Sequence, residues 1–395
     1  MKHVKLSVAL RAVALVSGLL LSLGGPLKAD VLTVGPLPAD HAQIQAAVDA
    51  ASDGDVILVA SGSYDAVTVV DKALTIVADA GANVTVGTPF TVRDLAASRS
   101  VVLRGLVVFD DGDALVLTDN AGPVVAEDCQ FVGPVPGLGE PGAQITNCDA
   151  VTFTRCSVQG AVGSNGADAI VSTASDVTLQ DCELQGGAGG DDSGFPGGSG
   201  GDGLEVNGGR VLLLGTTSTP GAGGIGNPPG MPGFALTVIS PESVVLRRDV
   251  TFVPGFFNGS PTPTILNPHG GTVQALLSAS RSLTSNAPVR EGETLDLVAQ
   301  GEPGDDVFLW ASVHPGFLPL FGYEGVFGLG LPVLPASGVY VGTLPVGSTL
   351  ELSVPVPDLG GLEGFPVFVQ PLVQDTSGAL TLGSTSVTVL IDDAF

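Results

Sequence analysis

The chain has 395 residues, 57 of them glycine and 29 proline, and its 40 acids against 14 bases give a formal charge of −26. That charge argues against nucleic acid or an anionic lipid surface as a partner, and it repels polyuronates unless calcium screens the encounter. Hydrophobic residues make up 44%, too many for a disordered low-complexity chain, so the glycine and proline announce many turns.

In chain order, Lys2, His3, Lys5 and Arg11 precede an apolar run from Ala12 to Leu23, and Ala29 then stands before Asp30. This is the layout of a secretory signal peptide over residues 1–29. The run is too short for a membrane-spanning helix. Its removal takes four of the 14 bases and no acid, leaving −30. The expectation is a secreted or cell-surface, extracytoplasmic chain with no membrane insertion once the signal is gone. Next, Ile44, Ala47, Val48 and Ala51 form one apolar stripe of a short helix, with Asp40 and Gln43 placed to cap its start.

A repeat follows. VVLRGLVVF (101–109), VVAEDCQFVG (124–133), VTFTRCSVQG (151–160) and VTLQDCELQG (177–186) align to put Leu106, Cys129, Cys156 and Cys182 in one column. A fixed period in this range is the mark of a solenoid, whose units cover one another's apolar faces. Within each unit the apolar alternation slips by one residue at Gly105, Asp128, Arg155 and Asp181, which demands a bend between two short strands. Gly and Asp tolerate the left-handed backbone of such a bend, and Arg155 is the weak member. A second column, Asp113, Asp168 and Asp202, opens another strand after a Gly-rich turn. Three strands per turn of about 25 residues predict a right-handed parallel β-helix domain over residues 30–255, with roughly eight coils between Asp55 and Gly255 and the short helix as the lid on its open end.

The segment AQIQAAVDAASDGDVILVASGSYDAVTVVDKALTIVA (42–78) resembles the opening of bacterial pectin-lyase-like parallel β-helix proteins, with Gly54-Asp55, Ile57, Val59, Gly62, Tyr64, Lys72, Leu74 and Ile76 at the matching places. The resemblance covers about residues 40–255 and implies the fold; that fold hosts lyases, hydrolases, epimerases and plain binding proteins. Polygalacturonase-like sites use a Gly-His-Gly motif and an Arg-x-Lys, yet no histidine lies between His41 and His269 and no Arg-x-Lys occurs. Pectate-lyase-like sites use a basic residue beside carboxylate-bound calcium. Arg155 is the nearest candidate base, and a bend or exposed arginine is the preferred reading. Asp110-Asp111 reads as a turn.

The stretch GGAGGDDSGFPGGSGGDGLE (186–205) contains two imperfect copies of the calcium-binding nonapeptide. Asp191, Asp192 and Asp202 are its calcium candidates; a Gly-rich loop protruding between coils is the favoured alternative. Cys129, Cys156 and Cys182 are expected as buried thiols and Cys148 as a further thiol near Cys156, with a disulfide the lesser option.

Residues 256–278 read as a linker or last loose coil. From 279 to 395 longer alternating strands predict a smaller antiparallel β-sandwich of six or seven strands, a module loosely resembling C-terminal domains of secreted bacterial surface proteins. Its Trp310, Phe317, Phe321 and Tyr323 read as core aromatics in preference to a sugar-stacking platform. The functional expectation is a non-catalytic structural or polysaccharide-binding protein of the cell surface, with a diverged polysaccharide lyase or glycoside hydrolase as the alternative.

Overall fold

The computed structural model describes residues 29–109, 112–134, 139–191, 196–320 and 325–395. The chain is nearly all β, with large parallel sheets in its first two thirds and mainly antiparallel sheets after them. One seven-residue helix, Ile44–Ala50, interrupts the strands and buries Ile44, Ala47 and Val48 in the main apolar cluster. Neither predicted cap serves it. Asp40 accepts from the Thr33 amide and hydroxyl, and Gln43 accepts from the Asp65 amide. At its other end the Lys72 ammonium donates to the carbonyls of Val48 and Ala51 at 2.7 and 2.8 Å, supplying a cation to the helix C-terminus.

Each turn of the chain adds one strand to each of three faces. Face one stacks Val56–Val59, Leu74–Ala78, Val101–Arg104, Val124–Glu127 and Val151–Thr154 in parallel register. Face two is an eight-stranded sheet from Gly62–Tyr64 to Thr251–Phe252. Face three stacks Val67–Val70, Phe90–Arg93, Leu115–Thr118 and Ala143–Thr146. The eleven-residue strands Ile170–Gln180 and Leu204–Leu214 join faces three and one into a single curled sheet.

Register, carried one residue before each face-two strand, stacks Leu106, Cys129, Cys156 and Cys182 as expected and continues to Thr216 and Val250. The bend column has a left-handed backbone throughout, from Gly105 (φ 72°) through Asp128, Arg155 and Asp181 to Gly215 and Asp249. A second left-handed corner, Asp71, Asp94, Asp119, Asn147, Ala174 and Gly208, turns the chain out of face three. All four cysteines are buried free thiols. Cys148 sits in the column of Asn120 and Ser175, taking a hydrogen bond from Asn120 Nδ2 at 3.5 Å.

Parallel pairing does not stop at Gly255. Ile265–Leu266 pairs with Leu236–Val238, and Thr272–Ala275 pairs with Val244–Arg248. Beyond it lie a three-stranded antiparallel sheet and a six-stranded sheet enclosing Leu283, Leu297, Leu309, Val354, Val367 and Val369, with a separate hairpin of Pro315–Leu320 and Gly325–Leu329. That is eleven strands among the described residues, more than the six or seven expected.

The C-terminal sheets lie along face one. Its outward row Leu58, Val77, Arg104, Glu127, Thr154, Gln180, Leu214 and Arg248 is buried at every position. Residues 382–391 run the length of that row: Leu382 at Arg248, Thr385 at Gln180, Ser386 and Val387 at Glu127, and Val389 and Ile391 against Leu58 and Val77. Val102 and Val125 meet Phe368 and Val387, and Leu212 and Leu214 meet Val326. Outward apolar residues on face one therefore have a partner, which is why its strands do not alternate polar with apolar.

Candidate functional site

The Asp113, Asp168 and Asp202 column stands at the start of the face-three strands, as its sequence position predicts. Each of the latter two carboxylates caps the next rung: Asp168 Oδ1 accepts from the Asp202 amide and Asp202 Oδ1 from the Phe234 amide, both at 2.6 Å. This fixes the side chains. Glu205, the second residue of the strand Leu204–Leu214 that follows Asp202, joins them, so that one carboxylate oxygen from each of Asp168, Asp202 and Glu205 lies within 4.8 Å of the others. All three are half-buried. Burial pushes the Asp168 carboxyl up to about 7, and the charges of Asp202 and Glu205 push it the same way against the Asp202 amide hydrogen bond. Burial also raises Asp202 and Glu205, the latter helped by the Asp202 charge. Sequence reasoning missed Glu205, although its period-two distance from Gly203 placed it outward on the strand.

The described glycines of the Gly-rich stretch are hydrogen-bonded to neighbouring turns of the chain. A single file of backbone hydrogen bonds runs Gly187 to Ala167, Gly201 to Gly187, Gly221 to Gly201 and Gly233 to Gly221, each donor named first, at 2.7 to 3.0 Å. A second file joins Gly198 to Gly190, Gly224 to Gly198 and Gly230 to Gly224. Apart from an isolated bridge between Gly163 and Gly189, none of these glycines is in a strand. The segments approach so closely that a Cβ on Gly187 would meet Ala161 O at 1.8 Å, and one on Gly221 would meet Gly187 O at the same distance. Glycine is required here for backbone contact rather than for left-handed φ.

Asp191 Oδ1 accepts from the Ile225 amide at 2.6 Å, a cap across the sheaf, and Asp191 belongs to no three-acid group among the described residues. Asp192 lies outside the described residues. Of the two calcium candidates among the described residues, Asp202 stands in an acid cluster, and its companions are Asp168 and Glu205.

Arg155 is not a free base. Its guanidinium binds Glu127, donates to Asp128 Oδ1 at 2.8 Å and reaches the Leu283 carbonyl of the C-terminal region at 3.1 Å. Arg104 meets the same two acids at 3.2 and 3.0 Å. Other arginines of the coils are also engaged: Arg93 with Asp94, Arg99 with Asp53 and Asp71, Arg210 with Asp176. Trp310 packs edge-on to Phe327 at 5.7 Å in the cluster against Val102 and Val125, and Phe317 packs against the cluster of Leu212 and Leu214. Phe321, Tyr323 and the Asp110-Asp111 pair lie outside the described residues.

Face two is the contrast to face one. Two outward rows cross it in register: Gln130, Ser157, Glu183, Thr217 and Thr251, and beside them Val132, Gln159, Gln185 and Thr219. Gln130, Glu183, Gln185 and Thr251 are exposed, and the eight strands of this face contain no Lys, Arg or His. Parallel rungs repeat at about 4.8 Å, so the rows present amides and hydroxyls at a regular interval.

No family model matches the chain, and no curated protein matches it either.

Proposed function

We propose that this chain is a secreted right-handed parallel β-helix protein of the pectin-lyase-like kind, and that face two binds an uncharged polysaccharide without cleaving it. The observation that carries the reading is the side-chain content of that face: in-register rows of Gln, Ser and Thr that end in Val107, Phe109 and Val132, with one acid and no base. Amides and hydroxyls both donate and accept, which suits sugar hydroxyls, whereas an anionic chain would meet a protein of formal charge −26 with no cation facing it. Strands repeating at a constant interval offer a repeating ligand equivalent contacts, so weak sites add along its length. The engagement of Arg155 in the interdomain ion network supports the non-catalytic side of the proposal. The short apolar N-terminal run supports export.

The alternative, a diverged lyase or hydrolase, draws on one observation, that Asp168 is held near neutrality beside Asp202 and Glu205, a pattern of paired carboxyls with separated acidities. Affinity electrophoresis in neutral and uronate polysaccharides tests the binding reading, with retardation expected in a neutral gel and lost in Gln159→Ala/Gln185→Ala. Incubation with the same panel must release no reducing or unsaturated ends. Retardation only by uronates, or any turnover, overturns the reading.

A further inference from the structure

The two ends of the parallel stack are finished differently. On the first strand, Val31–Val34, the outward amides are already taken: Val31 donates to Glu363 Oε2 at 3.0 Å and Thr33 to Asp40 Oδ2 at 2.9 Å. The Thr33 carbonyl accepts from the His41 amide, and the helix Ile44–Ala50 buries its apolar side in the core beside them. The last rung has no such finish. Thr251–Phe252, Ile265–Leu266 and Thr272–Ala275 each pair with a single strand among the described residues. Thr272 and Leu276 donate back to Ser243 and Arg247, so the backbone groups of Val273 and Ala275 point away from the stack. Val250, Phe252, Ile265 and Val273 reach the core cluster but stay half-buried, and Leu266 and Leu277 are 37% and 95% exposed. A free strand edge over a half-covered apolar core is a surface that takes a further strand.

Charge selects the occupant. The chain has 40 acids in 395 residues, yet residues 206–290 contain two, Glu242 and Asp249, against Arg210, Arg247, Arg248, Arg281 and Arg290. Copies of a chain with formal charge −26 repel over most of their surface, and that repulsion is missing at this end. A head-to-tail contact would need the edge of Val31–Val34, which Glu363 and Asp40 block. Like end against like end needs only the free edges, and a two-fold axis closes it.

We propose that the chain dimerises through the last rung of its parallel stack, Thr272–Ala275 pairing antiparallel with the same strand of a second copy. A two-fold axis at Gln274 sets Val273 of each copy opposite Ala275 of the other, so that their outward amides and carbonyls exchange hydrogen bonds. The half-buried Val250, Phe252, Ile265 and Val273 then close on their counterparts. The dimer requires the stacked rungs and not the polysaccharide reading.

Sedimentation velocity of the full chain over a concentration series tests it, with a monomer–dimer equilibrium and no larger species expected. Gln274 is exposed and meets itself across the axis. Gln274→Asp and Gln274→Lys therefore set like charges against each other, and each is expected to weaken dimerisation more than about tenfold. An equimolar mixture of the two variants is expected to restore the dimer, which two misfolded chains could not do. Should either charge disturb the rung, Ala275→Pro removes only an outward amide, a change that edge strands tolerate, and is expected to weaken dimerisation likewise. A full chain that stays monomeric throughout overturns the proposal, and so does an open-ended ladder of species, the mark of a head-to-tail contact. A dimer unmoved by these variants, or one weakened by both charges and not restored by mixing, places the contact elsewhere and overturns it too.

Discussion

Ser386 donates its hydroxyl to Glu127 Oε1 at 2.6 Å across 259 residues of chain, and the Val387 amide donates to the other oxygen of the same carboxylate at 2.6 Å. Glu127 is 1% exposed and faces two guanidiniums. It is one point where the parallel coils and the C-terminal sheets are joined by charge as well as by apolar contact, the Arg290–Asp79 ion pair at 2.8 Å being another.

Glu127→Ala is therefore expected to cost about 3–5 kcal/mol, the usual penalty for stranding buried partners of an ion pair. Urea unfolding measures it. Arg155→Ala added to that variant should cost much less than it does alone, because its main partner is already gone. Strict additivity of the two would show that Glu127 and Arg155 do not act together.

A chain truncated after residue 278 exposes Val56, Leu58, Val77, Val102 and Val125, all now covered by the C-terminal sheets. It is expected to bind a hydrophobic dye and to self-associate through this face. A monomeric truncated chain with dye binding equal to the full chain would mean that the two regions do not need each other.

Gly187→Ala drives a methyl to within 1.8 Å of a backbone oxygen, whereas a Cβ at Gly347 meets nothing within 4 Å. The first substitution should destabilise by about 1–3 kcal/mol as overpacking, and the second should fall within about 0.5 kcal/mol of the parent. Thermal melts of the two variants side by side decide it.

In chelator the melting temperature should rise as pH falls from about 8 to about 5. The folded acidities of Asp168, Asp202, Glu205, Asp113 and Asp181 are all shifted upward, chiefly by burial. A carboxyl with a raised folded value binds its proton more tightly in the folded state. The stability it contributes is complete below its unfolded value and is lost as pH rises through the folded one, near 7 for Asp168. Asp40, Asp71 and Asp375 shift downward and act in the opposite sense, but they sit at the surface, where solvent screens their hydrogen-bond and charge partners. A curve that falls monotonically below neutrality would refute the balance.

The thiol column and the bend were legible because both are local. A one-residue slip in apolar alternation leaves a bend as its only solution, and the φ of 51° at Arg155 shows that even the unfavourable residue obeys it. Its guanidinium, held by Glu127 and Asp128, gives a reason for an arginine at that position. The later rungs were harder to read because glycine segments lengthen them, moving the column from Cys182 to Thr216 and Val250. The second corner was marked by Asp or Asn at positions 71, 94, 119 and 147, a signal present and passed over. Val102, Val125 and Leu212 broke the expected alternation visibly, but their partners near Val387 and Val326 lie hundreds or scores of residues away. No local pattern names such a partner. The acid cluster was half legible: Asp168 and Asp202 share a column, while Glu205 enters it only through the geometry of the rung.

The file of amides from Ala167 to Gly233 has a consequence for ancestry. Where one methyl is forbidden at each rung, mutation can rewrite the surrounding surface but not the spacing of the smallest residue. Distant kin of this chain, diverged past ordinary similarity, would still carry those gaps in size at positions corresponding to 187, 201, 221 and 233, much as a worn key keeps its notches.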